Sequence, residues 1–576
     1  MKYILIQNKN EIIPYLPEIK QAKILAVDTE TTGLDPHTAK LRLIQIAAAG
    51  LPILVIDCFS FLPDGIDIIK EMLETPAVKI FQNAKFDLQF FMAVQIYPCP
   101  IFDTMLAAQL LRTSGGPSRA GLDVLAQHYL NETLPKDEQK SDWSGKLSES
   151  QLEYAANDVD ILFRLREVMV KEIYENHLSD IALIEFSCVR AMAQMEYTGI
   201  CLDIPLWNNL LDETVKERDE ALEILYTYTE KPVAQINLFG EDEVSGHNFD
   251  SNPFVLDLLH RNGIQTYSTS KYDLAPYANE PLVKTISAYR RAAKLLSSFL
   301  YPIPGMIHPK TGRLHPHYAQ NGAWSGRMSC WNPNIQQIPR SAKFRECFIA
   351  PPGRKLIIAD YSQIELRVAA EITHDPRMTA AYRSGDDLHS LTASFMVGKS
   401  IDAVTKPERQ AAKAVNFGLI YGMGAAGLKQ YAAQSYGVEM TLEQAEEFRN
   451  RFFKAYTGIE KWHRMMKRNP PKESRTLTGR KFTFSENAGL SILSNTPVQG
   501  TAADIAKKAL GLLVKRLKNS NTYIVGVIHD EIILESSDEK ADETAETLKS
   551  AMEEAGNSIM KYVPCLAEVD VSQNWS

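Results

Sequence analysis

Over residues 1–175, short apolar runs alternate with stretches whose apolar positions recur at helical spacing. The runs KILAVDT, LRLIQIAAA and LPILVID are rich in Ile, Leu and Val and predict strands, while IIKEMLETP and TMLAAQLLR predict helices. This alternation is that of an α/β layer. From Leu178 to Leu300 the pattern is mainly that of amphipathic helix, interrupted by FGEDEVSGHNFDSNP at 239–253, which predicts a surface loop. From His308 onward strand and helix signals alternate again. RKLIIADYSQIELRVAAEI predicts a strand ending at Asp360 and then a helix, and TYIVGVIHDEIILE predicts a β-hairpin turning at His529, Asp530 and Glu531. Thr405 followed by Glu408, with Pro407 in the first turn, predicts a capped helix running through Ile420.

A chain of 576 residues exceeds one ordinary domain, so two or more functional units are expected. With 45% hydrophobic and 23% charged residues it is an ordinary globular chain, which excludes a disordered or fibrous class. No apolar run approaches the roughly 20 residues of a membrane span and the first residues have no secretory pattern, so the cytoplasm is the expected compartment and no membrane is involved. Seven cysteines without a C-x-x-C pair argue against a disulfide framework or a structural zinc site, and reduced, mostly buried thiols are expected.

Charge changes the picture. The net charge of −9 argues against a polyanionic partner, but it is unevenly spread. Between Thr285 and Arg345 nine basic residues stand without one Asp or Glu, and Lys399 to Arg468 carries +5, which leaves −23 for the remainder. A solvated face would be served equally well by mixed signs, so the two basic stretches point to a groove following a nucleic-acid backbone.

Asp28 and Glu30 are separated by one residue at the end of a predicted strand, so both side chains point to one side. Asp87 in NAKFDLQFF and Asp158 in YAANDVDILF follow, with Tyr154 one helical turn before Asp158. Four carboxylates and a phenol in this order, with Thr29, Asn83 and Phe86 beside them, resemble the DEDD exonuclease superfamily in its tyrosine-bearing subclass. The residue types suit two Mg²⁺ ions, which need hard oxygen ligands to activate water and stabilise the leaving oxygen of a phosphodiester. Asp103 lies nearby in sequence and is assigned no metal.

A second set spans the carboxy-terminal half. Two acidic sites at strand ends, Asp360 and Asp530, suit another two-metal centre. Between them Arg409, Lys413, Phe417 and Tyr421 are four residues apart, a stripe drifting only ~40° per step, with two cations suited to a triphosphate and two rings suited to a base and sugar. The spans DYSQIELR, RQAAKAVNFGLIYG and IHDE stand in the order and spacing of motifs A, B and C of the family A DNA polymerases. AWSGRMSCWNPNIQQIP, DLH at Asp387–His389, NTPVQGTAAD and the closing VPCLAEVDVSQNW are similar to further motifs of that family.

The resemblance implies an α/β, RNase H-like exonuclease domain followed by an α+β polymerase right hand. Its parts would be exonuclease 1–175, helical connector and thumb 176–310, palm 311–395, fingers 396–480 and palm again 481–576. It implies a template-directed DNA polymerase with 3′-to-5′ proofreading, acting in replication or repair. Asp360, Asp530 and the Tyr361 carbonyl would bind two Mg²⁺, with Glu531 nearby; Asp28, Glu30, Asp87 and Asp158 would bind two more, Mn²⁺ being the alternative ion. Lys413 would act as general acid and Tyr154 would orient water. Gln363, Glu365, His389, Arg409, Lys413, Phe417 and Tyr421 would bind the deoxynucleotide, Glu365 as steric gate. Lys294, Arg327, Asn334, Gln337, Asn495, Gln499 and His529 would bind DNA. The implied partners are primer-template DNA, dNTPs and a single-stranded 3′ end, and a monomer is expected.

Ser325 replaces the family's usual threonine, Ser491 stands where many relatives carry arginine, and the 475–495 stretch is short, so primer grip is where this chain departs. Nothing in the sequence resembles a 5′-nuclease domain, which suits a large fragment or a phage-type replicase. The competing readings are a nuclease whose second half only binds nucleic acid, against which Asp360 and Asp530 discriminate, and a non-catalytic DNA-binding or structural protein, which requires both carboxylate sets to be accidental.

Overall fold

The computed structural model describes residues 2–134, 138, 141–229, 234–236, 242–244 and 247–576. Six strands form the amino-terminal sheet in the order Tyr3–Ile6, Ile53–Asp57, Leu41–Ala47, Ile24–Thr31, Val78–Phe81, Ile101–Asp103. Ile24–Thr31 lies inside this sheet, antiparallel to Leu41–Ala47 and parallel to Val78–Phe81. Its Leu25, Ala26 and Val27 are fully buried, as a two-sided sheet requires, and the run turns polar only at Asp28. The long helix Glu149–Glu175 packs on this sheet after a capping box in which Ser148 and Gln151 satisfy each other's backbone N–H groups.

Two expectations are corrected here. The helix read from IIKEMLETP begins ten residues earlier, at Cys58, because Asp57 accepts from the Phe59 N–H and caps it there. Within the predicted loop 239–253, Asp242–Val244 pairs antiparallel with Ala234–Ile236, and Asn252 already opens the next helix; 239–241 and 245–246 lie outside the described residues.

The carboxy-terminal half is built on four antiparallel strands in the order Tyr523–Ile528, Glu531–Ser537, Arg354–Tyr361, Ala567–Ser572. The predicted hairpin is present, but its turn is only His529–Asp530, with His529 at φ 60° and Glu531 already in the strand. Helices Leu388–Val397, Lys406–Ile420, Ala425–Tyr436, Leu442–Ala455 and Thr457–Arg468 follow the first half of the sheet. Helix Lys406–Ile420 ends where its sequence pattern ends, and its capping box is formed by Thr405 and Glu408.

The chain packs as two compact units. One comprises residues up to Ile200 with His315–Gln336 and Ala350–Gln573; the other comprises Cys201–Leu314, Gln337–Ile349 and Asn574–Ser576. The second is helical and keeps its own core around Leu225, Phe249, Val255, Leu259 and Ile286. Its buried Trp207 donates from the indole to the Leu300 carbonyl at 3.1 Å and meets Phe344 and Phe348 edge-on. All seven cysteines are free, five of them buried. Among the described residues no helix is long and apolar enough to cross a membrane.

Candidate active sites

The first site forms where strand Ile24–Thr31 turns polar. Ligand oxygens of Asp28, Glu30 and Asp158 all lie within 4.8 Å of one another. Asp87, in the first turn of helix Ala84–Ala93, is buried beside them and accepts from the Thr29 hydroxyl at 2.6 Å. Burial, then the charges of Asp87, Glu30 and Asp158, push the Asp28 carboxyl well above the carboxylate range. Burial and the charges of Asp158 and Asp87 push Glu30 up to about 9. Burial raises Asp87 to about 7 against the Thr29 hydrogen bonds, and Asp158 to about 7 against the hydrogen bond from Tyr154. Carboxylates this close repel one another when ionised, and an all-oxygen donor set suits a hard divalent ion.

Asp103 is fully buried and serves the backbone instead. It accepts from the N–H groups of Asn83 (3.2 Å), Ala84 (2.8 Å), Met105 (2.8 Å) and Leu106 (3.2 Å), so one carboxylate holds the turn that opens the Asp87 helix. A cleft of about 580 Å³ beside the acids is lined by Asp28, Tyr154 and Asp158, and also by Gln82, Arg112 and Arg119, which sequence reasoning missed. Two arginines flanking the Gly/Ser-rich 114–118 run were the available signal.

At the second site, strand register does the positioning. Asp360 stands opposite Glu531 on one neighbouring strand and Glu568 on the other, so three carboxylates share a face. Glu568 was also missed; no spacing in the sequence ties it to Asp360. The Tyr361 N–H donates to the Asp530 carbonyl at 3.4 Å, which seats the hairpin turn against the end of the central strand. The Tyr361 ring is buried with its hydroxyl donating to the Met552 carbonyl at 2.9 Å, so only its backbone is left to the site. Burial raises Asp530, and the Glu365 charge adds to it against His529 and Arg327.

The stripe on helix Lys406–Ile420 meets partners from elsewhere. Arg409 donates to both oxygens of Asp387 at 2.8 and 3.0 Å, while Lys413 one turn on has no ion pair among the described residues. Burial opposes the Asp387 charge, but hydrogen bonds from Arg409 and Ser390 outweigh it and hold this carboxyl below its usual range. Gln363 donates to Asp387 at 3.3 Å. His389 is buried with its ring 6.0 Å from that of Phe417. Tyr421 caps the helix, and its hydroxyl donates to Glu365, which Arg327 also reaches.

Asn495 and Gln499 share a face of helix Leu490–Arg516, and the buried Oδ1 atoms of Asn495 and Asn334 have no hydrogen-bond partner among the described residues. Arg327, His529 and Asp530 line one small cleft. Gly326, at φ 82°, precedes Arg327 with the Arg480 guanidinium against it, 2.7–3.0 Å from where a Cβ would stand, so no larger residue fits. Lys294, on helix Pro281–Leu295, and Gln337 belong to the other unit.

An antiparallel sheet with acids at its strand ends, together with a helix bearing cations and rings, fits a nucleotidyl-transferring enzyme, and the amino-terminal acid cluster fits a nuclease. The comparisons agree. The model for DNA polymerase family A matches residues 210–576, and that for a 3′-5′ exonuclease matches residues 3–174. DNA polymerase I of Aquifex aeolicus is 34% identical over 97% of this chain and 97% of its own length. DNA polymerase I of Pseudomonas aeruginosa is 30% identical over 97% of this chain, which spans 64% of that protein. Among solved structures, the POL domain of Pol1 from M. smegmatis, in complex with DNA primer-template and dNTP, has a TM-score of 0.80 at 24% identity, covering 99% of both chains. The chain belongs to the family A DNA polymerases. It is a template-directed DNA polymerase with a 3′-5′ exonuclease for proofreading.

Proposed function

We propose that the two acid clusters extend and edit one primer strand, each with a pair of Mg²⁺ ions. Asp360 and Asp530 would hold the ions of the synthetic site, with the Tyr361 carbonyl and Glu531 beside them; Asp28, Glu30, Asp87 and Asp158 would hold those of the editing site. The ions supply charge stabilisation at the reacting phosphate and lower the pKa of the attacking oxygen. In synthesis the primer 3′-hydroxyl would give its proton to water as its oxygen bonds to the α-phosphorus, the α–β bridging bond breaks, and Lys413 passes a proton to the departing pyrophosphate. Arg409, Lys413 and His389 bind the triphosphate, Gln363 steadies Asp387, Phe417 lies under the sugar and Tyr421 sits where the templating base enters.

Arg327, Asn334, Gln337, Asn495, Gln499, His529 and Lys294 take the duplex; minor-groove acceptors nearly independent of sequence suit such contacts. In editing, a water oriented by Tyr154 would bond to the phosphorus of the last phosphodiester and lose a proton, the bond from that phosphorus to the penultimate 3′-oxygen breaks with a proton taken up there, and the terminal nucleotide leaves as its 5′-monophosphate, with Arg112 and Arg119 meeting the strand. The reading divides the chain into exonuclease 1–175, connector and thumb 176–310, palm 311–395 and 481–576, and fingers 396–480, and places a monomer in the cytoplasm. The observation that carries it is the register that sets Asp360 against Glu531 with the Asp530 carbonyl on the Tyr361 N–H.

Primer extension on matched and mismatched 3′ ends tests it. Mg²⁺ should support dNTP-dependent extension of the matched end and trimming of the mismatched one, and EDTA should stop both. Extension that persists in EDTA, or a mismatch extended without trimming, overturns it.

A further inference from the structure

Four buried side chains from three helices form a hydrogen-bonded line behind the nucleotide stripe. Asn416 lies between Lys413 and Phe417 on helix Lys406–Ile420 but is fully buried, turned away from that face. Its Nδ2 is 2.9 Å from His389 Nδ1, and its Oδ1 is 2.9 Å from the Thr392 hydroxyl, both on helix Leu388–Val397. Thr392 shares its proton between that Oδ1 and the Leu388 carbonyl, 2.8 Å away, and takes the Tyr456 hydroxyl at 2.7 Å. Tyr456, fully buried at the end of helix Leu442–Ala455, has its phenolic proton to give, so the line has a direction: Tyr456 to Thr392 to Asn416 to His389.

A neutral imidazole carries one N–H. With an amide donor on Nδ1 that proton must sit on Nε2. The surroundings also favour a neutral ring: burial holds His389 down to about 4, and the charges of Arg409 and Lys413 add to that against Asp387.

We propose that Asn416 is a positioning residue of the polymerase reaction: held by Thr392 and Tyr456, its carboxamide keeps His389 as the Nε2–H tautomer, an uncharged donor to the incoming triphosphate. The inference rests on the reading that His389 binds the triphosphate. Arg409 and Lys413 bring charge; His389 adds direction without a third cation that would repel them. A free ring could instead offer a lone pair on Nε2 and push the phosphate away.

The test compares KM for dNTP against pH in wild type, Asn416→Leu, Asn416→Asp, His389→Ala and Asn416→Asp/His389→Ala. Wild-type KM should be flat from pH 6 to 8, the range in which a free histidine titrates. Asn416→Leu should raise KM about tenfold, the worth of one hydrogen bond to a charged group, with kcat within about twofold. Asn416→Asp keeps the volume but accepts from Nδ1–H, so its KM should climb as pH rises through the ring's ionisation and Nε2 loses its proton. In the His389→Ala background Asn416→Asp should change nothing further. A flat Asn416→Asp profile at wild-type KM, or the same effect without His389, overturns the proposal. A wild-type KM in His389→Ala alone overturns the triphosphate reading instead. Long-range ¹⁵N–¹H spectra of histidine-labelled enzyme, with the signal assigned by its loss in His389→Ala, then decide the tautomer independently, and an Nδ1–H signature for His389 sinks the role of Asn416.

Discussion

The Tyr421 hydroxyl donates to one oxygen of Glu365 while Arg327 occupies the other. Both carboxylate oxygens are therefore taken from outside helix Ile364–Thr373, and the side chain is pinned as a wall at the stripe's aromatic end. A wall held in place excludes a bulkier sugar better than a free side chain does. Glu365→Ala should raise the kcat/KM ratio of ribonucleotide to deoxynucleotide about 10–100-fold, a discrimination of the size one added hydroxyl allows. Tyr421→Phe, which only unpins one oxygen, should raise it by less. Single-nucleotide incorporation kinetics measure both, and an unchanged ratio in Glu365→Ala removes that residue from sugar selection.

The two acid clusters are built on different sheets, so their losses should separate. Asp28→Ala should cut single-strand degradation by about 10³-fold or more, the effect of several kcal/mol of charge stabilisation, and leave extension intact. Asp360→Ala should do the reverse. Parallel assays on one labelled oligonucleotide read both activities, and loss of both in either variant would mean the sites are not independent.

What was legible in the sequence was local. Strand Ile24–Thr31 announces itself as an apolar run ending in acids, and Thr405 and Glu408 mark a helix start three residues apart. The first turns of the helix at Cys58 lie ahead of the periodic run IIKEMLETP, and the Asp57 cap is what shows where the backbone turns helical. The contacts that hold the site are long-range. Arg327 and Tyr421 reach Glu365 across 38 and 56 residues, and Glu568 meets Asp360 only through sheet register. No periodicity carries such pairings, and charge counting placed Arg327 in a basic stretch without seeing the acid it meets.

The carboxylate of the capping box at the start of helix Lys406–Ile420 should couple that helix to acid. Thr405→Ala removes the side-chain acceptor for the Glu408 N–H and should cost about 1 kcal/mol. Glu408 is held down to about 2, by Lys399 first and then by Thr405. A carboxyl lowered on folding stabilises the fold above its unfolded pKa of about 4.3 and loses that contribution as pH falls toward the folded value. The protection of this helix against hydrogen exchange, taken relative to intrinsic rates at each pH, should therefore fall between pH 4 and 2 in wild type and respond less to pH in Glu408→Gln. Equal pH dependence in the two would show that the cap carries no such linkage.

Behind the Gly326–Arg327 turn, two acids and two bases are buried together. Lys507 Nζ donates to Glu185 at 2.7 Å and to the Asn321 Oδ1 at 2.8 Å; Arg480 pairs with Glu185 and donates to Asp504 at 2.7 and 2.9 Å. Lys507, Glu185 and Asp504 are wholly inaccessible, so these charges persist by pairing with one another, helped by neutral hydrogen bonds such as that of Thr478 to Asp504. Glu185→Ala leaves two cations on one carboxylate and should destabilise the fold by about 3–5 kcal/mol, the cost of breaking a buried pair. Glu185→Leu with Lys507→Met removes one charge of each sign and leaves Arg480 with Asp504, so it should recover most of that loss. Urea denaturation of the three proteins measures both effects. A single variant within about 1 kcal/mol of wild type, less than any uncompensated buried charge should cost, would mean that water or rearrangement solvates the remaining cations and that the quartet does not hold Arg480 against Gly326.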